Sequence, residues 1–171
     1  MDKDLDRIYQ ILQKLIGLHR QLLELIRSER VALEQANLKD IEETTHSKEV
    51  VIHAIHQNEL ERVRAMAQIA ASWKQGVSDL SLRKFVEILQ GKDIQAAERF
   101  RNVHNALRVL VERIDEQNQD NKKLVEKSLE HIAIMKRNAL GEANPKSDTY
   151  TQKGRKLENQ GGSARLLSKE V

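Results

Sequence analysis

The sequence predicts an all-α protein: an antiparallel hairpin of two long helices, a long third helix completing an elongated bundle or coiled coil, and a disordered C-terminal tail. Three observations predict it. Apolar residues recur in steps of three and four over most of the first 139 positions, the period of one helix face. Helix breakers are scarce there: of the seven Gly and one Pro in 171 residues, four Gly and the Pro lie beyond residue 140. Aromatic residues make up 3% of the chain against 32% charged, which suits thin seams of Leu, Ile and Val rather than the broad core of a mixed α/β domain.

Helix one is expected over residues 5–36. Leu5, Ile8, Leu12, Leu15, His19, Leu22, Ile26, Glu29, Leu33 and Ala36 stay in phase throughout. Ile11, Ile16, Leu18, Leu23 and Leu25 widen the stripe enough for more than one partner helix. Asn37 then breaks the chain and suits a cap, with Asp40, Glu42 and Glu43 in the first turn of helix two, where the helix dipole favours anions. Helix two is expected over 38–74, with a seam at Leu38, Ile41, Thr45, Lys48, Ile52, Ile55, Glu59, Arg62, Met66, Ile69 and Trp73. So short a connection forces an antiparallel hairpin in which facing positions sum to roughly 75. Glu29 then falls near Lys48, and His19 near Glu59. Solvated flanking positions are the reading we favour for these polar residues, because long side chains snorkel to water. The alternative is a cross-helix ionic layer that fixes register.

Gly76–Ser81 reads as a loop, and residues 82–90 as a short helix showing Leu82, Phe85, Val86 and Leu89 on one side. Gly91 ends it and Asp93 caps the next helix. That last helix is expected over 93–139, roughly 70 Å if unbroken. Its stripe runs through Leu107, Val111, Ile114, Val125, Ile132 and Met135, with a polar gap at Asn118 and Asn121. A buried Asn in such a seam fixes register and partner number. The gap divides the helix into a part that packs on the hairpin, Leu107 to Ile114, and an unpaired apolar part, Leu124 to Met135. Residues 141–171 form the flexible tail, by their Gly, Pro and polar content, and 1–140 the bundle domain. Trp73 and Phe100 fall at seam spacing and read as core or hairpin-end packing.

Several function classes fall away. There is no Cys, which excludes disulfides, thiolate zinc sites and thiol catalysis. No window approaches the ~20 apolar residues of a membrane span, and the acidic start MDKDLDR is unlike a secretory signal. A cytoplasmic protein without membrane insertion is expected. Net charge is only +3 with both signs interleaved. The basic run Lys146–Lys156 contains Asp148 and a single aromatic, Tyr150, so the pI near 9.1 does not mark a nucleic-acid footprint. Glu43, His46, Glu49, His53 and His56 include one ExxH spacing, but a carboxylate-bridged metal site needs a second ExxH and further carboxylates facing inward. No metal, cofactor or catalytic site is expected.

Four stretches resemble the FlgN-like flagellar export chaperones. These are LLELIRSERVAL in helix one; the hairpin LEQANLKDIEETTHSKEVVIHAIHQNELERVR with its Lys48 and its Glu59 and Arg62; NQDNKKLV in the last helix; and TYTQKG, with Tyr150 and Gly154, in the tail. Gln57 and Asn58 depart from the pattern, standing where an apolar residue is usual. The resemblance implies a non-enzymatic cytoplasmic chaperone that covers the C-terminal amphipathic helices of hook-associated proteins by helix-in-groove packing. It implies client contacts at Asn118, Asn121, Leu124, Val125, Leu129, Ile132 and Met135, and docking of the export gate's cytoplasmic domain at Tyr150 and Gly154. The competing expectation is a structural or adaptor coiled coil that self-associates, as a homodimer, through the same last helix.

Overall fold

With so few helix breakers before residue 140, long helices are the natural outcome, and the computed structural model describes four of them within residues 2–73 and 81–139. They are α1 (Asp2–Glu34), α2 (Leu38–Ser72), α3 (Leu82–Gln90) and α4 (Ile94–Ala139). The expected loop, except Ser81, and the expected tail lie outside the described residues. The chain falls into two compact units, Met1–Ser128 and Leu129–Val171.

In the first unit α1 and α2 pack against each other as an antiparallel hairpin. Three residues join them, and the last two have identifiable tasks. The amide of Ala36 donates to the carbonyl of Leu33 at 3.1 Å and the amide of Asn37 to that of Ala32 at 3.0 Å. These two bonds are the Schellman closure of a helix C-terminus, which requires a left-handed residue, usually Gly. Ala36 fills that place with φ of 51°. Asn37 then opens α2: its Oδ1 accepts from the amide of Asp40, and its Nδ2 donates to the Asp40 carboxylate at 2.7 Å. Ser81 caps α3 through the amide of Lys84, and Asp93 caps α4 by accepting from the amide of Ala96 at 3.0 Å.

The core is thickest at the end away from this turn. Leu5, Ile8, Leu12 and Leu15 of α1 meet Met66 and Ile69 of α2, Phe85 and Leu89 of α3, and Phe100 and Val103 of α4. Phe85 is the centre. Trp73 stacks on it at 5.6 Å, Phe100 meets it edge-on at 5.3 Å, and Tyr9 meets Phe100 edge-on at 6.0 Å. Such pairs add roughly 0.5–1.5 kcal/mol each beyond the area they bury. Trp73 and Phe100 thus serve as packing, as their seam spacing suggested. Towards the turn the core narrows to Leu22, Ile26 and Val51.

Two seams differ from the expected ones. In α2, Thr45 and Ile52 are exposed, while Val51 and Asn58 are buried. In α4 the buried line passes through Leu110, 9% exposed, and leaves Val111 at 50%. Asn121 continues that line, whereas Asn118 faces out. The Nδ2 of Asn58 donates to the carbonyl of Ala54, one turn back in its own helix, and its Oδ1 finds no partner among the described residues.

Candidate functional site

Where the apolar core thins, the three long helices are joined by polar side chains. Glu29 lies at the inward position of α1 that the seam assigns it, and Lys48 lies opposite on α2. The two form an ion pair with side chains only 14% and 17% exposed. The solvated reading of Glu29 and Lys48 is therefore corrected: the hairpin register brings the two side chains together across the helices, largely withdrawn from water. The second Glu29 oxygen accepts from the Nδ2 of Asn121 on α4 at 3.0 Å, and the same amide donates to the Ile26 carbonyl at 3.0 Å. One carboxylate thus receives a donor from α2 and another from α4. His19 and Glu59, expected near each other, each bond within their own helix. His19 bonds through Nδ1 to the Leu15 carbonyl at 2.7 Å, and Glu59 holds Arg62 within α2 at 2.7 Å.

This arrangement changes the role of Asn121. The residue is 4% exposed, and its Oδ1 has no partner among the described residues. Its amide donors are taken up within the frame, so little more than an edge of the side chain is left to face a second protein. Its chemistry is that of a register pin: a buried polar group pays for its burial only in the one alignment that supplies its hydrogen bonds. The sequence showed the Asn in the seam but not the carboxylate and backbone carbonyl that meet it. The expected approach of Glu29 to Lys48 was the available clue.

Beside the pin lies an open groove of about 510 Å³, with Leu33, Ile41, Asn118 and Val125 on its walls and Lys122 and Glu126 at its rim. Leu124 is half-buried and Val125 exposed. In the second unit the described residues are 129–139, a helical stretch. There Leu129 and Ile132 are each 60% exposed and Met135 68%. Steps of three put these side chains on one face, and Ile134 is exposed as well. Tyr150 and Gly154 lie outside the described residues.

Glu43, His46, Glu49, His53 and His56 are all exposed or half-buried on α2, and among the described residues no three His, Asp or Glu side chains converge as metal ligands. No described helix is long and apolar enough to cross a membrane. What the arrangement can do is bind other polypeptides: it offers exposed apolar helix residues and a pinned three-helix frame.

Comparison with known proteins agrees. No curated protein and no solved structure matches the chain. The family model described as FlgN protein matches residues 1–158, which takes in the hairpin, all four helices and the Tyr150 and Gly154 segment. The chain belongs to the FlgN family, and it is a flagellar export chaperone that binds flagellar proteins.

Proposed function

We propose that this chaperone acts in the cytoplasm, without catalysis, by covering the C-terminal amphipathic helices of hook-associated proteins until they reach the export gate. The observation that carries the reading is the exposure of Leu129, Ile132 and Met135 on one helical face. A fully buried aliphatic side chain gains about 1.5–3 kcal/mol. With about two thirds of each still to be buried, the three supply roughly 3–5 kcal/mol towards a client. That is on the order of a hundred- to a few-thousand-fold in association constant. In the first unit Leu124 and Val125 add apolar contact and Asn118 a polar one. Asn121 takes part by holding α4 to α1 rather than by touching the client. Tyr150 and Gly154, within the span matched by the family, are the proposed contacts for the gate's cytoplasmic domain.

The test is co-purification with a hook-associated protein, whole and lacking its C-terminal segment. Replacing Leu129, Ile132 and Met135 together by Ser is expected to weaken capture of the whole client about a hundredfold or more while helix content stays constant. Undiminished capture, or equal capture of the truncated client, defeats the reading. Tyr150→Ala is expected to leave capture intact and reduce secretion. Self-association through α4 is the competing role; it predicts a dimer that the triple replacement dissociates, with no client bound.

A further inference from the structure

A second surface lies in the first unit, between α3 and α4. Each helix contributes one face of a groove of about 430 Å³. From α3 come Arg83, Val86, Glu87 and Gln90, spaced i, i+3, i+4, i+7; from α4 come Arg101, His104, Asn105 and Arg108 at the same spacing. Val86 is buried and makes an apolar floor, and His104 is half-buried beside it. Three guanidinium groups stand over this floor against one carboxylate. Both signs are interleaved along most of the helical part of the chain, so this surplus is local to the groove.

The pairing of these arginines is loose. Arg83 meets Glu87 at 3.3 Å and Arg108 meets Glu112 at 3.6 Å, both within their own helices and both largely exposed. Arg101 has no ion-pair partner among the described residues. Exposed pairs of this kind contribute little and exchange readily for a better acceptor, and Arg presents a planar fork that matches a carboxylate in two bonds.

We propose that the α3–α4 groove binds an acidic segment of a partner protein, its carboxylates set about two helical turns apart. The spacing argues for this occupant. Arg101 and Arg108 stand seven residues apart on α4, about 10.5 Å along the helix axis. Two acidic residues seven apart on a partner helix repeat that spacing with both arginines extended, whereas a single phosphate engages both only if the two side chains bend towards each other. Single-stranded nucleic acid fits poorly. It calls for aromatic side chains on which bases stack, and the groove lining has none. Glu87 would also oppose a dense polyanion while leaving room for spaced carboxylates. Gln90 and Asn105 supply neutral donors and acceptors for a polypeptide backbone. This surface is separate from the α4 residues proposed for the client, so one partner does not require the other.

The experiment titrates the full-length chain with a helical Ala-rich peptide carrying two glutamates seven residues apart, following the His104 ring resonances. The same peptide with glutamines, the same peptide with adjacent glutamates, inorganic phosphate and an oligothymidylate serve as comparison probes. Expected are saturable shifts at His104 with the spaced-glutamate peptide, several-fold weaker on raising salt from about 50 to about 200 mM. The Arg101→Ala, Arg108→Ala double variant is expected to bind at least about tenfold more weakly, with unchanged helix content and an unchanged Leu129 client face. Absence of shifts at millimolar peptide overturns the proposal, as does equal response to the glutamine or adjacent-glutamate peptide. Saturation by phosphate alone reassigns the site to a small anion, and tighter binding of the oligothymidylate reassigns it to nucleic acid. Either result also overturns it.

Discussion

Ala36 carries a cost that its neighbours do not. A non-glycine residue in the left-handed region is strained by about 1–2 kcal/mol, and Ala36 sits there because the Schellman closure of α1 needs that backbone angle. Glycine would remove the strain while adding about 0.5–1 kcal/mol of chain entropy to the unfolded state. Ala36→Gly is therefore expected to stabilise the protein by about 0.5–1 kcal/mol, read as a higher urea midpoint at constant slope. A lower midpoint would mean that the alanine methyl does something the backbone geometry does not reveal. Asn121 is the opposite case, a residue whose cost has a purpose. Its place in the stripe was legible in the sequence, but its burial was not, because an apolar-spacing rule counts every Asn as a gap. Only the facing residues, Glu29 and the Ile26 carbonyl, tell a buried Asn from an exposed one.

At the scale of elements, α1 was the most legible helix. Apart from Ala36, which belongs to its closure, its expected inward residues are buried or half-buried from Leu5 to Leu33. α2 was read correctly near Met66, Ile69 and Trp73 but slipped by one position around Val51. The reason is geometric. A strict seven-residue repeat drifts about 20° per heptad on a helix of 3.6 residues per turn. Over the three to four heptads from Trp73 back to Val51 and Thr45, that approaches the 100° between neighbouring residues. α4 shows the same ambiguity where Leu110 and Val111 are both apolar and only packing chooses. The Glu29–Lys48 pair gives a test of how the elements are held. Lys48→Glu puts two carboxylates in one enclosed place and is expected to destabilise by about 3 kcal/mol or more. Combining it with Glu29→Lys should recover more than half of that in thermal unfolding. A double variant no better than the single one would mean that the pair's surroundings, Asn121 included, fix its direction.

Within the first unit, stability is graded along the hairpin. The aromatic end gathers four helices on Phe85 and Phe100, whereas the turn end has the smaller Leu22, Ile26 and Val51 cluster and the polar pin. Phe100→Ala is expected to cost about 3–5 kcal/mol. Because Trp73 stacks on Phe85, which in turn meets Phe100, the change should also shift Trp73 fluorescence to longer wavelength. Unshifted emission with lost stability would show that the Trp73–Phe85 stack stands without Phe100. The helix content and the order of elements could be read from composition and periodicity alone. The surplus of arginine between α3 and α4 could not, because it arises only when two helices far from any charge run are laid side by side.

The three residues between α1 and α2 act as a gear. They fix how far α2 is rotated about its own axis when it starts back along α1. One additional residue between Glu34 and Leu38 would turn every later α2 side chain by about 100°. Lys48 would swing away from Glu29, and the exposed Val50 would move towards the place Val51 now fills. The turn therefore restricts the chain in length as well as in composition: position 36 takes the left-handed angle, position 37 a capping side chain, and the count of three sets the register.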